Sequence, residues 1–108
     1  MPTTRKFWTT ILSRAETDPA FRRQMLTEAV NELLAGDLEA GKAMLRDYIN
    51  ATITFRQLAR KLKKSDKSLH RMLGPRGNPR ASNIIEIIKS LQAYERVRLR
   101  VEAHKAAA

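Results

Sequence analysis

Catalytic chemistry has little to work with in this chain. The two histidines, His70 and His104, stand far apart in sequence, cysteine is absent, and Asp66 and Glu86 belong to no recognisable acid–base motif. No enzymatic activity and no cofactor are therefore expected. Without cysteine, disulfides and thiolate metal sites are also excluded. What the sequence does concentrate is hydrogen-bond donors and positive charge. Within 27 residues come Thr54, Arg56, Gln57, Arg60, Lys64, Ser65, Lys67, Ser68, His70, Arg71, Arg76 and Arg80. Cations at that density suit phosphate, and a mixture of hydroxyl, imidazole and guanidinium groups suits the edges of bases. Ser65, Lys67, Ser68, His70 and Arg71 are the candidates for groove contacts. Arg71 is the best guanine reader, because its guanidinium matches that base's two acceptors. Arg56, Arg60, Lys64, Arg76 and Arg80 are the candidates for phosphate.

The charge distribution points the same way. Residues 1–54 hold seven Lys/Arg and seven Asp/Glu, whereas residues 55–108 hold fourteen against four, which accounts for the whole net charge of +10. A solvated basic face would explain a uniform excess. A localised one favours a polyanionic partner, most simply nucleic acid. At 108 residues the chain is one domain, and a hydrophobic content of 43% supports a core. No apolar run approaches the roughly 20 residues of a membrane span, and there is no secretory signal. A cysteine-free chain fits a cytoplasmic location.

The donors must be positioned by the segment Thr54–Leu73, which reads as two short helices. Phe55, Leu58, Ala59 and Leu62 fall on one face of the first, and Leu69, Met72 and Leu73 on one face of the second. Lys63-Lys64-Ser65 separates them, and Ala59 is small where two steeply crossing helices come closest. This is the layout of a helix-turn-helix that offers its second helix to a groove. Thr54 with Gln57 predicts a capping box, Ile53 with Leu58 a hydrophobic staple, and Ser65 a cap for the second helix.

Taken in order, residues 1–17 read as a polar arm, Met1 to Lys6, and a short helix with Phe7, Trp8, Ile11, Leu12 and Ala15 on one side. Trp8 reads as a core or dimer-contact residue. Residues 18–53 read as two neutral scaffold helices. Asp18-Pro19 starts the first, Gly36 ends it, and Asp37 caps the second. Gly74 to Pro79 must be an ordered turn, after which Asn78 as cap and Pro79 at the first position predict a packing helix over 79–94. Its Ile84, Ile85, Ile87, Ile88, Leu91 and Tyr94 form an apolar surface broad enough to need cover on more than one side. Val97, Leu99 and Val101 then alternate with charged residues, predicting a strand over 97–102 that pairs with a second chain or with the N-terminal arm. Residues 103–108 are expected to be disordered. The expected fold is all-α, a compact bundle of five to six helices containing a helix-turn-helix, with a short C-terminal β-strand that makes a homodimer.

Met44 to Ile53 (MLRDYINATI) and Lys67 to Pro75 (KSLHRMLGP), completed by Gly77-Asn78-Pro79, resemble small bacterial helix-turn-helix regulators related to addiction-module antidote proteins, with a phage-repressor-like fold. The likeness runs more loosely from Asp18 to Gln92. It implies a dimeric DNA-binding domain and transcriptional control by a repressor or autoregulator; for the antidote relatives it also implies a toxin partner. This chain departs from that pattern at Lys63-Lys64, where relatives carry glycine and an apolar residue, and at Glu95-Arg96, where they carry a glycine-containing link. A left-handed Lys63 would cost on the order of 1 kcal/mol relative to glycine, which predicts a tighter or differently shaped turn. Two other classes share some features. Gly74-x-x-Gly77 between helices resembles the backbone clamp of an RNA-binding KH domain, a fold that needs a three-stranded sheet. A toxin-binding adaptor without DNA binding would share the helical fold.

Overall fold

Short polar side chains set where the helices begin. The Asp18 carboxylate accepts the Phe21 amide at 3.1 Å, a bond that holds its pKa below the ordinary aspartate value. Asp37 accepts Ala40 N–H at 3.0 Å and Ser65 accepts Ser68 N–H at 3.0 Å. In the computed structural model, which describes residues 2–107, six helices result: α1 (Pro2–Thr17), α2 (Pro19–Leu34), α3 (Leu38–Ala51), α4 (Phe55–Leu62), α5 (Asp66–Leu73) and α6 (Ala81–Glu95). Gly36, at φ +87°, turns the chain sharply between α2 and α3, and those two helices make the most extensive pairing in the molecule.

One core joins α2 to α6. Leu26 and Ala29 of α2 meet Leu45, Tyr48 and Ile49 of α3; Ile53, Phe55, Leu58 and Ala59 continue it through α4. Leu69 and Leu73 of α5 and Ile87 and Leu91 of α6 complete it. Full burial of side chains of this size stabilises by about 1.5–3 kcal/mol each, and that is what holds helices as short as the eight-residue α4 and α5.

Five expectations need correction. Residues 2–6 are not an arm but the first turns of α1, with Pro2 at the position where a missing N–H matters least; Met1 lies outside the described residues. The capping box at Thr54 is half formed. Its side chain accepts Gln57 N–H at a long 3.4 Å, but its own amide donates to Ile49 O at 2.8 Å, so Gln57 has nothing to reach back for. Asn78 and Pro79 do not start α6; Arg80 is its cap residue, without a side-chain bond. Ile85 and Tyr94 stay exposed at 64% and 42%, so the chain covers the broad face of α6 only in part.

Finally, no strand forms among the described residues, and 97–107 have no regular secondary structure. The period-two pattern is nonetheless used. Val97 and Leu99 are half-buried against the core while Arg96, Arg98 and Arg100 are exposed. Leu99 N–H donates to Gln92 Oε1 at 2.8 Å, so a side chain of α6 replaces a neighbouring strand as acceptor. Val101, at 78% exposure, extends past this docking. Residues 103–107 are exposed, and Ala108 lies outside the described residues.

Candidate nucleic-acid interface

The turn between α4 and α5 is closed without glycine. Lys63 adopts the left-handed conformation (φ 55°, ψ 41°); its N–H bonds Arg60 O, and Lys64 N–H bonds Ala59 O at 3.0 Å. These two bonds form a Schellman closure. Lys63 thus takes the left-handed conformation despite its cost, because both helices are anchored by buried Leu58, Ala59 and Leu69. The second departure resolves in the same way. Arg96 (φ 58°) closes α6 with Arg96 N–H to Ala93 O and Val97 N–H to Gln92 O. Thr54, at φ +77°, is the remaining left-sided non-glycine residue, set where the chain swings from α3 into α4.

On α5 the inward residues are Leu69 and Leu73, which leaves Lys67, His70 and Arg71 exposed on one face at i, i+3 and i+4 spacing. His70 is partly engaged: its ring stacks on Phe55 with centroids 3.9 Å apart, and Nε2 lies 3.4 Å from Asp66 Oδ1. Ser65 is committed to its cap, and Ser68 is half-buried behind the strip. Lys67 and Arg71 are thus the freest donors on this helix. On α4, Arg56 is exposed, whereas Gln57 and Arg60 face a shallow depression shared with Ile53, Lys61 and Tyr94. The structure therefore splits the candidates between two faces. Lys61 and Tyr94, which sequence reasoning passed over, belong to the second. Among the described residues none of Arg56, Arg60, Lys61, Lys64, Lys67, Arg71, Arg76 and Arg80 has a carboxylate within ion-pair distance.

The loop after α5 is the most tightly built part of the site. Lys42 of α3 is fully buried, and its ammonium donates to Gly74 O at 2.8 Å and Gly77 O at 2.7 Å, with Glu39 at 3.0 Å. Arg46, one turn further along α3, donates to Leu73 O. Arg46 thereby occupies the carbonyl of the last residue of α5, where the helix dipole favours positive charge, and Lys42 those of the cap residue Gly74 and of Gly77 in the loop beyond. Gly77 N–H returns to Gly74 O at 3.0 Å. A Cβ at Gly77 would run into the Arg71 and Met72 carbonyl oxygens, so only glycine permits this approach. Holding Gly77 there delays the start of α6 to Ala81 and leaves Arg76 and Arg80 exposed on either side. No signal local to residues 74–80 reveals the buried lysine, which lies 32 and 35 residues earlier.

A second buried polar group anchors the scaffold. Glu95 accepts from Arg22 Nε (3.0 and 3.2 Å) and from Tyr48 Oη (2.5 Å), while Arg22 also donates to Ala15 O at 2.6 Å. Burial, reinforced by the hydrogen bond to the Glu95 carboxylate, pushes the Tyr48 phenol well above its usual pKa. Comparisons with known proteins bring no match: no family model, no curated protein and no solved structure.

Proposed function

We propose that this chain is a sequence-specific duplex-DNA-binding regulator that inserts α5 into the major groove and acts as a repressor or autoregulator. One observation carries the reading. Exposed, carboxylate-free cations cluster on α4, α5 and the following loop, while the pattern of a helix pair closed by a rigid turn projects Lys67 and Arg71 outward. Arg71 is assigned to base edges, and Arg56, Arg76 and Arg80 to phosphates. A dimer belongs to the proposal because one eight-residue helix covers only a half-site; exposed Ile85, Tyr94 and Val101 supply apolar surface for it. The KH-like alternative is disfavoured by the absence of a sheet among the described residues and by the inward-bonded carbonyls of Gly74 and Gly77.

The test is selection of bound duplexes from a random pool, followed by titration of the selected site. With about 6–10 phosphate contacts, affinity should fall by roughly 10³–10⁵ between 50 and 200 mM salt. Arg71→Ala should weaken the selected site by about 1–3 kcal/mol and random duplex much less. Failure to bind any duplex at low salt would refute the proposal in favour of an adaptor for a protein partner.

A further inference from the structure

A fully buried lysine on a scaffold helix calls for an explanation, because removing an ammonium from water is costly unless every donor is satisfied. Lys42 meets that condition with two carbonyls of one loop and a carboxylate of its own helix. It therefore ties α3 to the loop that carries Arg76 and Arg80, and Arg46 adds a tie at Leu73 O. From the opposite side, the bare Cα of Gly77 rests against the last turn of α5. Residues 74–80 belong to no helix, and without these ties their order would have to be gained on binding, which would oppose it.

We infer that Lys42 is a positioning residue for phosphate recognition, holding the 74–80 loop in its bound geometry so that Arg76 and Arg80 meet the DNA backbone without an ordering step. This inference rests on the proposed DNA binding and assigns a role in it to a residue that touches no DNA. The Lys42 ammonium is the side-chain donor that joins the Gly74 and Gly77 carbonyls. Lys42→Met keeps length and volume but removes the donors, freeing the loop while leaving Arg76 and Arg80 chemically intact.

The experiment compares wild type, Lys42→Met, the Arg76→Ala/Arg80→Ala double variant and the triple variant on random-sequence duplex over a salt series, with folding checked by circular dichroism. The double variant should reduce the slope of log affinity against log salt by about 0.9 for each phosphate no longer neutralised. Lys42→Met alone should give a similar reduction and roughly tenfold weaker binding at low salt, because ordering the freed loop costs more than its two phosphate contacts return and those contacts do not form. In the triple variant it should add less than twofold to the double variant, since its effect passes through the two arginines. A structural role only would lower melting temperature, leave the slope of the folded protein unchanged, and add in full to the arginine substitutions; that result overturns the inference while the DNA-binding proposal stands. Wild type that binds no duplex overturns both. Should Lys42→Met not fold, Gly77→Ala displaces the same loop from the α5 side, and an unchanged salt slope in that variant is equally refuting.

Discussion

Replacing Glu95 with alanine should destabilise the protein more than any other single surface-to-core polar change outside the loop clamp. The carboxylate is 3% exposed and accepts all the hydrogen bonds that the Tyr48 hydroxyl and Arg22 Nε make. Without it, Tyr48, at 0% exposure, keeps a hydroxyl with no acceptor, a loss of about 1–3 kcal/mol. Arg22 becomes an unpaired cation. Breaking a buried pair typically costs about 3–5 kcal/mol, but Arg22 is 23% exposed and retains Ala15 O, so its share falls below that range. Together the expected loss is about 3–5 kcal/mol, which for a domain of this size lowers the melting temperature by roughly 12–30 °C. Tyr48→Phe, by contrast, leaves Glu95 paired with Arg22 and should cost about 1–2 kcal/mol. In the Tyr48→Phe/Glu95→Ala double variant the losses should be less than additive, because no hydroxyl remains to be stranded. Urea denaturation gives all three values from midpoints at constant m. A Glu95→Ala protein within about 1 kcal/mol of wild type would show that water or a rearranged neighbour replaces the carboxylate, and the reasoning would fail.

The same network predicts alkaline sensitivity. Because the folded-state pKa of Tyr48 is raised above the ordinary 10.0, its contribution is complete below pH 10 and is lost as pH rises past that value. Stability should therefore fall above pH 10 in wild type and fall less steeply in Tyr48→Phe, measured by denaturant midpoints across pH 8–11. Lys63→Gly should relieve the left-handed backbone at the turn and raise stability by about 0.5–1 kcal/mol. A lower melting temperature would mean that the Lys63 side chain holds the turn in some other way.

Features governed by a few neighbouring residues were legible in the sequence. Asp18, Asp37 and Ser65 cap helices because a short oxygen-bearing side chain and an amide three residues on need no help from the rest of the fold. The inward faces of α4 and α5 followed from period alone. Partners distant in the chain were not legible. Lys42 drew no reading at all, and Glu95 was read only as part of a link, since nothing local distinguishes a charged residue that meets its counterpart 32 or 73 positions away. The tail shows an intermediate case. Alternation correctly separates Val97 and Leu99 from the arginines, but period two specifies only that one side is covered, and α6 with Gln92 provides the cover that a strand was expected to give. The left-handed Lys63 was misjudged for a related reason: local preference of about 1 kcal/mol yields to several buried side chains.

The inward turn of those charged side chains also changes the electrical shape of the molecule. Of the seven cations before Phe55, Lys42 is buried and Arg22 and Arg46 are bound internally, whereas acidic Glu16, Glu28, Glu39 and Asp47 stay exposed. In the second half it is an anion, Glu95, that is withdrawn. The scaffold surface is thus more acidic, and the surface of the second half more basic, than the counts of zero and +10 suggest. A molecule polarised in this way experiences a torque near any extended polyanion. On the proposed DNA binding it would approach already turned, with α5 leading, so that more encounters would be productive at low ionic strength and the advantage would fade as salt shortens the reach of the field.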